Sequence, residues 1–163
     1  MSAATRAIAA ATMPDAGCIL HATTPDLVGH ARALFLEYAA TLGFELGFQG
    51  FDAEPAALPG GYAVPGGTLL LAFVDDDVAG CVAMRPLADD VCEMKRLYVR
   101  AAFRGVGVGR RLATGVLEAA RRAGYVKMRL DTVPAMVEAI ALHGSLEFAG
   151  SQVAAATLEY RAP

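Results

Sequence analysis

Apolar positions follow two different periods along this chain of 163 residues. Leu27, Val28, Ala31, Leu34, Phe35, Tyr38 and Leu42 recur every three or four places, the spacing of a helix with one buried face. Thr24-Pro25-Asp26 precedes them with a capping hydroxyl, a first-turn proline and an acid near the positive helix end. Gly43 marks the stop. Cys18–Ala22 reads as a short opening strand, and 45–67 as a turn-rich stretch with a short helix near 52–58. Thr68–Val74 is a run suited to a buried strand. Asp75-Asp76-Asp77 turns it into Val78–Met84, Leu87–Asp90 turns again, and Val91–Val99 follows, which together predict an antiparallel meander.

The helical period returns at Val108, Leu112, Val116, Leu117 and Ala120, predicting a helix over about 107–123 that Gly124 ends. Val126–Asp131 is the next strand. A strand–helix–strand unit implies a parallel pair. Pro134 to His143 or Leu146 reads as a second amphipathic helix, and 148–160 as one or two closing strands. The organisation expected is a poorly ordered Ala-rich leader over 1–17 and a single α/β domain over 18–163.

Composition narrows the class. Hydrophobic residues make up 55% and charged residues 19%, which excludes a disordered protein. The uncharged stretch Pro55–Val74 carries three Pro and four Gly, so no membrane span is expected. The net charge of −3 conceals an asymmetry. Residues 1–94 hold 12 acids against three bases, a balance of −9, and 95–129 hold ten bases against Glu118 alone, a balance of +9. One basic block in a chain of pI ≈ 5.6 points to a local anionic ligand and away from nucleic acid. Three cysteines, Cys18, Cys81 and Cys92, are expected as buried thiols in a reducing cytoplasm. His21 and His30 have no metal-ligand spacing, so no metal is expected.

The basic block contains the chemistry. In Leu97-Tyr98-Val99-Arg100-Ala101-Ala102-Phe103-Arg104-Gly105-Val106-Gly107-Val108-Gly109-Arg110-Arg111 a strand leads through three alternating glycines into a helix. Glycines let main-chain N–H groups turn toward one point, and the helix adds its unpaired first-turn donors and positive dipole end. Arg104, Arg110 and Arg111 surround that nest with positive charge, an arrangement suited to a diphosphate. The P-loop pattern fails, because Arg110-Arg111 follow Gly109 in place of Lys-Ser/Thr. The pattern Gly-x-Gly-x-x-Gly fails too, because Arg110 and Leu112 stand where its third glycine belongs. Asp131 lies at a strand end as a ribose-binding acid would, but a Rossmann domain places its glycine loop near its start.

Arg104-Gly105-Val106-Gly107-Val108-Gly109, with Leu97-Tyr98-Val99 before it and Ala139-Ile140-Ala141-Leu142, Leu146 and Phe148 after it, resembles the Arg/Gln-x-x-Gly-x-Gly/Ala signature of GNAT N-acetyltransferases. The likeness covers roughly 18–150. It implies the GNAT fold, a mixed twisted sheet flanked by helices, with acetyl-CoA as acyl donor. It implies that the amides of Gly105, Val106, Gly107, Val108, Gly109 and Arg110 hold the diphosphate beside Arg104 and Arg111. It also implies that the main chain of Leu97 and Val99, flanked by Tyr98, pairs with pantetheine where the Val91–Val99 and Val126–Asp131 strands splay. The reaction implied is direct attack of a primary amine, on a small molecule or a protein, upon the thioester.

Such an attack needs a proton acceptor, and Glu93 is the candidate; the plainer role is a salt bridge with Lys95 or Arg96. A main-chain N–H near Leu97 is the candidate oxyanion donor. His143 stands where relatives have the tyrosine that protonates the leaving thiolate. Glu37, Tyr38 and Glu45 on and after the first helix, with Asp131 and Thr132 at the strand end, are candidate acceptor contacts. The resemblance also leaves a homodimer open. A different class, a module that binds acyl-CoA without turnover, is the alternative that the altered tyrosine position raises.

Overall fold

The computed structural model describes residues 17–42, 54–131, 149–150 and 157–161. Its strands are β1 (Cys18–His21), β2 (Thr68–Val74), β3 (Asp77–Ala88), β4 (Val91–Val99), β5 (Lys127–Asp131), β6 (Ala149–Gly150) and β7 (Thr157–Arg161). Its helices are α1 (Pro25–Leu42), α2 (Glu54–Ala57) and α3 (Val108–Arg122). One sheet of order β1-β2-β3-β4-β5-β7-β6 holds the strands together. β4 and β5 run parallel and the other neighbours antiparallel.

Both faces of the centre of the sheet are covered, which is why β2 is apolar at nearly every position. Leu70 and Ala72 join Val82, Met84, Cys92 and Met94 beneath the α3 stripe of Val108, Leu112 and Val116. Leu69, Leu71 and Phe73 point the other way and meet Ala31, Leu34, Phe35 and Tyr38 of α1. The expected cap is present: Thr24 Oγ1 accepts from the Leu27 amide at 3.3 Å. α3 ends at Gly124, where Gly124 N donates to Arg121 O and Tyr125 N to Ala120 O, both at 3.0 Å, a paired closure of the last carbonyls. The three cysteines are free and buried. Among the described residues no helix is long and apolar enough to cross a membrane.

Two features depart from the expected elements. β3 continues to Ala88 where a turn was expected from Leu87. Its extension is held by charge and not by apolar alternation: Arg85 lies opposite Glu93 in the register and their side chains pair at 3.0 Å. β4 also carries a bulge. Cys81 lies opposite Tyr98 and Ala83 opposite Lys95, so β4 has one residue more than β3 there, and Arg96 takes the left-handed φ of 60°. The leader over 1–17 lies outside the described residues except for Gly17, and so does the helix expected from Pro134.

Candidate active site

The site begins where β4 and β5 part. Their parallel ladder runs from Val91 opposite Lys127 to Met94 opposite Leu130 and goes no further. β4 continues to Val99, paired to β3 alone, while β5 turns its other edge to β7 as far as Asp131 opposite Thr157. Among the described residues, the main chain of β4 beyond Met94 therefore has an uncovered edge. Its polarity follows from one bond: the Arg100 amide donates to Ala79 O on β3 at 2.8 Å. Successive residues alternate, so Tyr98 and Arg100 face β3 while Leu97 and Val99 present their N–H and C=O groups to the open side. Their side chains pack toward the α3 core. The Tyr98 ring lies on the other face, its centroid 5.9 Å from that of Tyr38.

After β4 a single 3-10 turn, Ala101–Phe103, leads to the glycine loop. Gly105 has φ +83° and Gly107 φ +90°, with Val106 between them outside the positive region. Alternating signs of this kind curve successive N–H groups toward one side. Gly107 is the residue before α3. The Arg104 amide closes a turn onto Ala101 O at 3.3 Å, and the Arg111 amide begins the helix ladder on Gly107 O at 3.1 Å. The amides from Gly105 to Gly109 meet no acceptor among the described residues. A Cβ added at Gly105 or Gly107 would meet nothing within 4 Å, so no described residue crowds the loop at those two positions. Unpaired donors, open space, a helix N-terminus and the arginines fit a diphosphate. Val108 is 1% exposed, so only its amide is available. Arg104 and Arg110 are exposed and Arg111 is half-buried. Arg104 Nε also donates to Val99 O at 2.9 Å.

Glu93 sits on the α1 side of the sheet, one residue before the last β4–β5 pair, and is 6% exposed. Arg85 Nε lies 3.0 Å from its Oε2 and Lys95 Nζ 3.5 Å from its Oε1. The expected bridge to Lys95 is present, but it is buried, and Arg85 is a partner that sequence spacing did not suggest. Burial lowers the Lys95 pKa from its usual value, Glu93 opposes that shift, and Arg96 and Arg85 add to it. Arg96, 4% exposed, lies within the bulge, its carbonyl accepting from Cys81 Sγ at 3.3 Å.

Glu37 of α1 is engaged elsewhere. Both Glu37 oxygens accept from Arg100 Nε at 3.1 and 3.0 Å, Oε2 accepts from Nη2 at 2.7 Å, and Arg100 Nη1 donates to Val78 O at 3.0 Å. Arg100 therefore straps α1 to the end of β4, and the carboxylate raises its pKa above the usual value. Tyr38 is buried, and burial pushes its pKa up to about 12. The structure thus brings together Leu97, Tyr98, Val99, Arg104, the glycine loop and Glu93 along β4 and its exit. It places Glu37 and Tyr38 against the C-terminal half of β4. Asp131 ends β5, and nothing is described of its side chain. Glu45, Thr132 and His143 lie outside the described residues. No group of three metal-ligating side chains occurs among the described residues.

Residues 52–148 match the family model described as the acetyltransferase (GNAT) family. An uncharacterized N-acetyltransferase of Schizosaccharomyces pombe is 37% identical over 126 residues, 76% of this chain and 77% of that protein. A GNAT-family acetyltransferase from Staphylococcus aureus superposes with a TM-score of 0.74 at 12% identity, covering 90% of this chain and 99% of the other. The Salmonella typhimurium protein yncA, solved with its cofactor acetyl-CoA, superposes with a TM-score of 0.66 at 19% identity, covering 90% and 94%.

Proposed function

The chain belongs to the GNAT family of acetyltransferases, and on that premise we propose that it takes acetyl-CoA as donor and acetylates a primary amine by direct attack in a ternary complex. One observation carries the reading: among the described residues, the β4 edge beyond Met94 has no neighbouring strand and leads straight into a loop whose amides from Gly105 to Gly109 have no acceptor. A peptide-like arm can extend the sheet at such an edge as another strand would, and the diphosphate at its far end then meets the Gly105–Arg110 amides. Acetyl-CoA supplies an acyl group activated as a thioester.

The chain's own groups do the rest. Val99 O and the N–H groups of Leu97 and Val99 orient the arm. The Leu97 N–H also faces the open side, where it can donate to an oxygen gaining charge. Glu93 takes the proton of the incoming amine, directly or through one water; Arg85 and Lys95 fix its orientation. His143, carried over from the resemblance, returns a proton to the leaving sulfur, as a group titrating near neutrality can. We assign the acceptor to the α1 side of the splay, with Tyr38 and the β5 end at Asp131 as its borders; Thr132 is carried over from the sequence alone. Glu37 enters only as the partner of Arg100, because its charge is already matched.

The test combines two measurements. Calorimetry should find saturable CoA binding, and a free-thiol assay with acetyl-CoA and a panel of amines should find turnover on at least one. Saturable binding with no turnover on any amine would favour the non-catalytic binding module. His143→Phe should lower turnover more than acetyl-CoA affinity; undiminished turnover removes it from the mechanism.

A further inference from the structure

We propose that Arg104 makes the donor site selective for thioesters that carry a diphosphate, by holding the strand edge that a pantetheine arm needs. The inference rests on the acetyl-CoA reading above. Arg104 Nε donates to Val99 O at 2.9 Å. That carbonyl lies on the open side of β4, because the next residue, Arg100, directs its amide to Ala79 O on β3 and neighbours alternate. An amide group extending the sheet at this edge needs the same acceptor. The side chain reaches back from the mouth of the phosphate loop, five residues along, and is otherwise exposed. A charged donor on that carbonyl is a stronger competitor than water or a neutral amide.

The competition has a chemical consequence. A thioester ending in bare pantetheine must displace the guanidinium and offers it nothing in return. A thioester ending in a diphosphate brings a better acceptor to the loop that carries Arg104, and a guanidinium grips phosphate oxygens two at a time. Arg104 then leaves Val99 O as the diphosphate arrives, and the arm can pair. On this proposal Arg104 exchanges the Val99 carbonyl for the diphosphate, and that exchange couples the two halves of donor binding.

The coupling predicts effects of opposite sign. In titrations of the full chain, Arg104→Ala should bind CoA about tenfold more weakly and pantetheine about threefold more tightly than wild type. The substitution is at an exposed side chain, so an unchanged thermal midpoint should accompany both shifts. In wild type the Arg104 Nε–H resonance should be protected from exchange, and adding ADP, a diphosphate without the arm, should release it. Pantetheine binding that is equal in the two proteins, or undetectable in both, overturns the selectivity role, as does an Nε–H resonance that ADP leaves unmoved. These outcomes leave the donor reading standing if wild type still binds CoA; a wild type that binds no CoA defeats the donor reading itself.

Discussion

Replacing Gly107 with Asn and with Asp separates charge from geometry at the phosphate loop. Gly107 has φ 90° and ψ 5°, and a Cβ there meets nothing within 4 Å. The steric cost of either side chain is thus backbone strain alone, about 1–2 kcal/mol, and both residues tolerate this region better than most. Asp also suits the position before a helix and its dipole at least as well as Asn. The Asp variant should accordingly be no less stable than the Asn variant. Binding is another matter. Two unit charges about 4 Å apart repel by about 1 kcal/mol in water and about 4 kcal/mol near a protein surface. Gly107 is exposed, so about 2 kcal/mol is reasonable, or roughly thirtyfold in Kd. Calorimetric titration with CoA should therefore rank wild type first, Asn next and Asp far behind. Raising the salt from about 0.05 to about 0.5 M should shrink the Asn-to-Asp ratio as screening grows. Equal CoA affinity in the two variants at low salt would refute the diphosphate assignment.

Glu93→Gln leaves Arg85 and Lys95 without the carboxylate they share, so urea unfolding should show a loss of about 3 kcal/mol; turnover should fall much further than CoA affinity. A double-mutant cycle between Glu37→Gln and Arg100→Gln should give a coupling of about 0.5–1 kcal/mol, modest because both side chains are well exposed; zero coupling would show that the strap does not tie α1 to β4. Burial pushes the Cys92 thiol up to about 12 from 9.0. Its folded pKa is raised, so its contribution is complete below pH 9 and is lost as pH climbs from 9 toward 12. The wild-type unfolding free energy should fall more steeply over that range than that of Cys92→Ala, by about 1.4 kcal/mol per pH unit; parallel profiles would contradict the burial of this thiol.

The meander, the parallel pair and the glycine loop were legible because each rests on a local pattern: period two, period 3.6, and glycine at a strand-to-helix exit. The length of β3 was not. Past Met84 its hold is the Arg85–Glu93 pair, and a charged residue followed by Pro86 reads as the end of a strand. Nothing in the sequence announces the bulge, since Arg96 takes a left-handed backbone with no glycine or asparagine to signal it, and a bulge is set by pairing with a second strand. The same holds for electrostatics. Glu37 looked available to a cationic amine, but Arg100, 63 positions away, claims both its oxygens. Glu93 was read correctly as a candidate for an ion pair with Lys95, yet its burial and its second cation come from the sheet register. Spacing along the chain singled out the glycine loop that we propose holds the diphosphate; partners from distant strands decide which charges remain for a substrate.

The most direct measurement is an amide resonance titration with CoA and, separately, with ADP. The account predicts that CoA shifts Leu97, Val99 and the amides from Gly105 to Arg110 together, while ADP shifts the loop and the Val99–Arg100 peptide that Arg104 releases but leaves Leu97 unmoved. Loop amides that stay unmoved at saturating CoA, with shifts gathered instead on a different edge of the sheet, would contradict it.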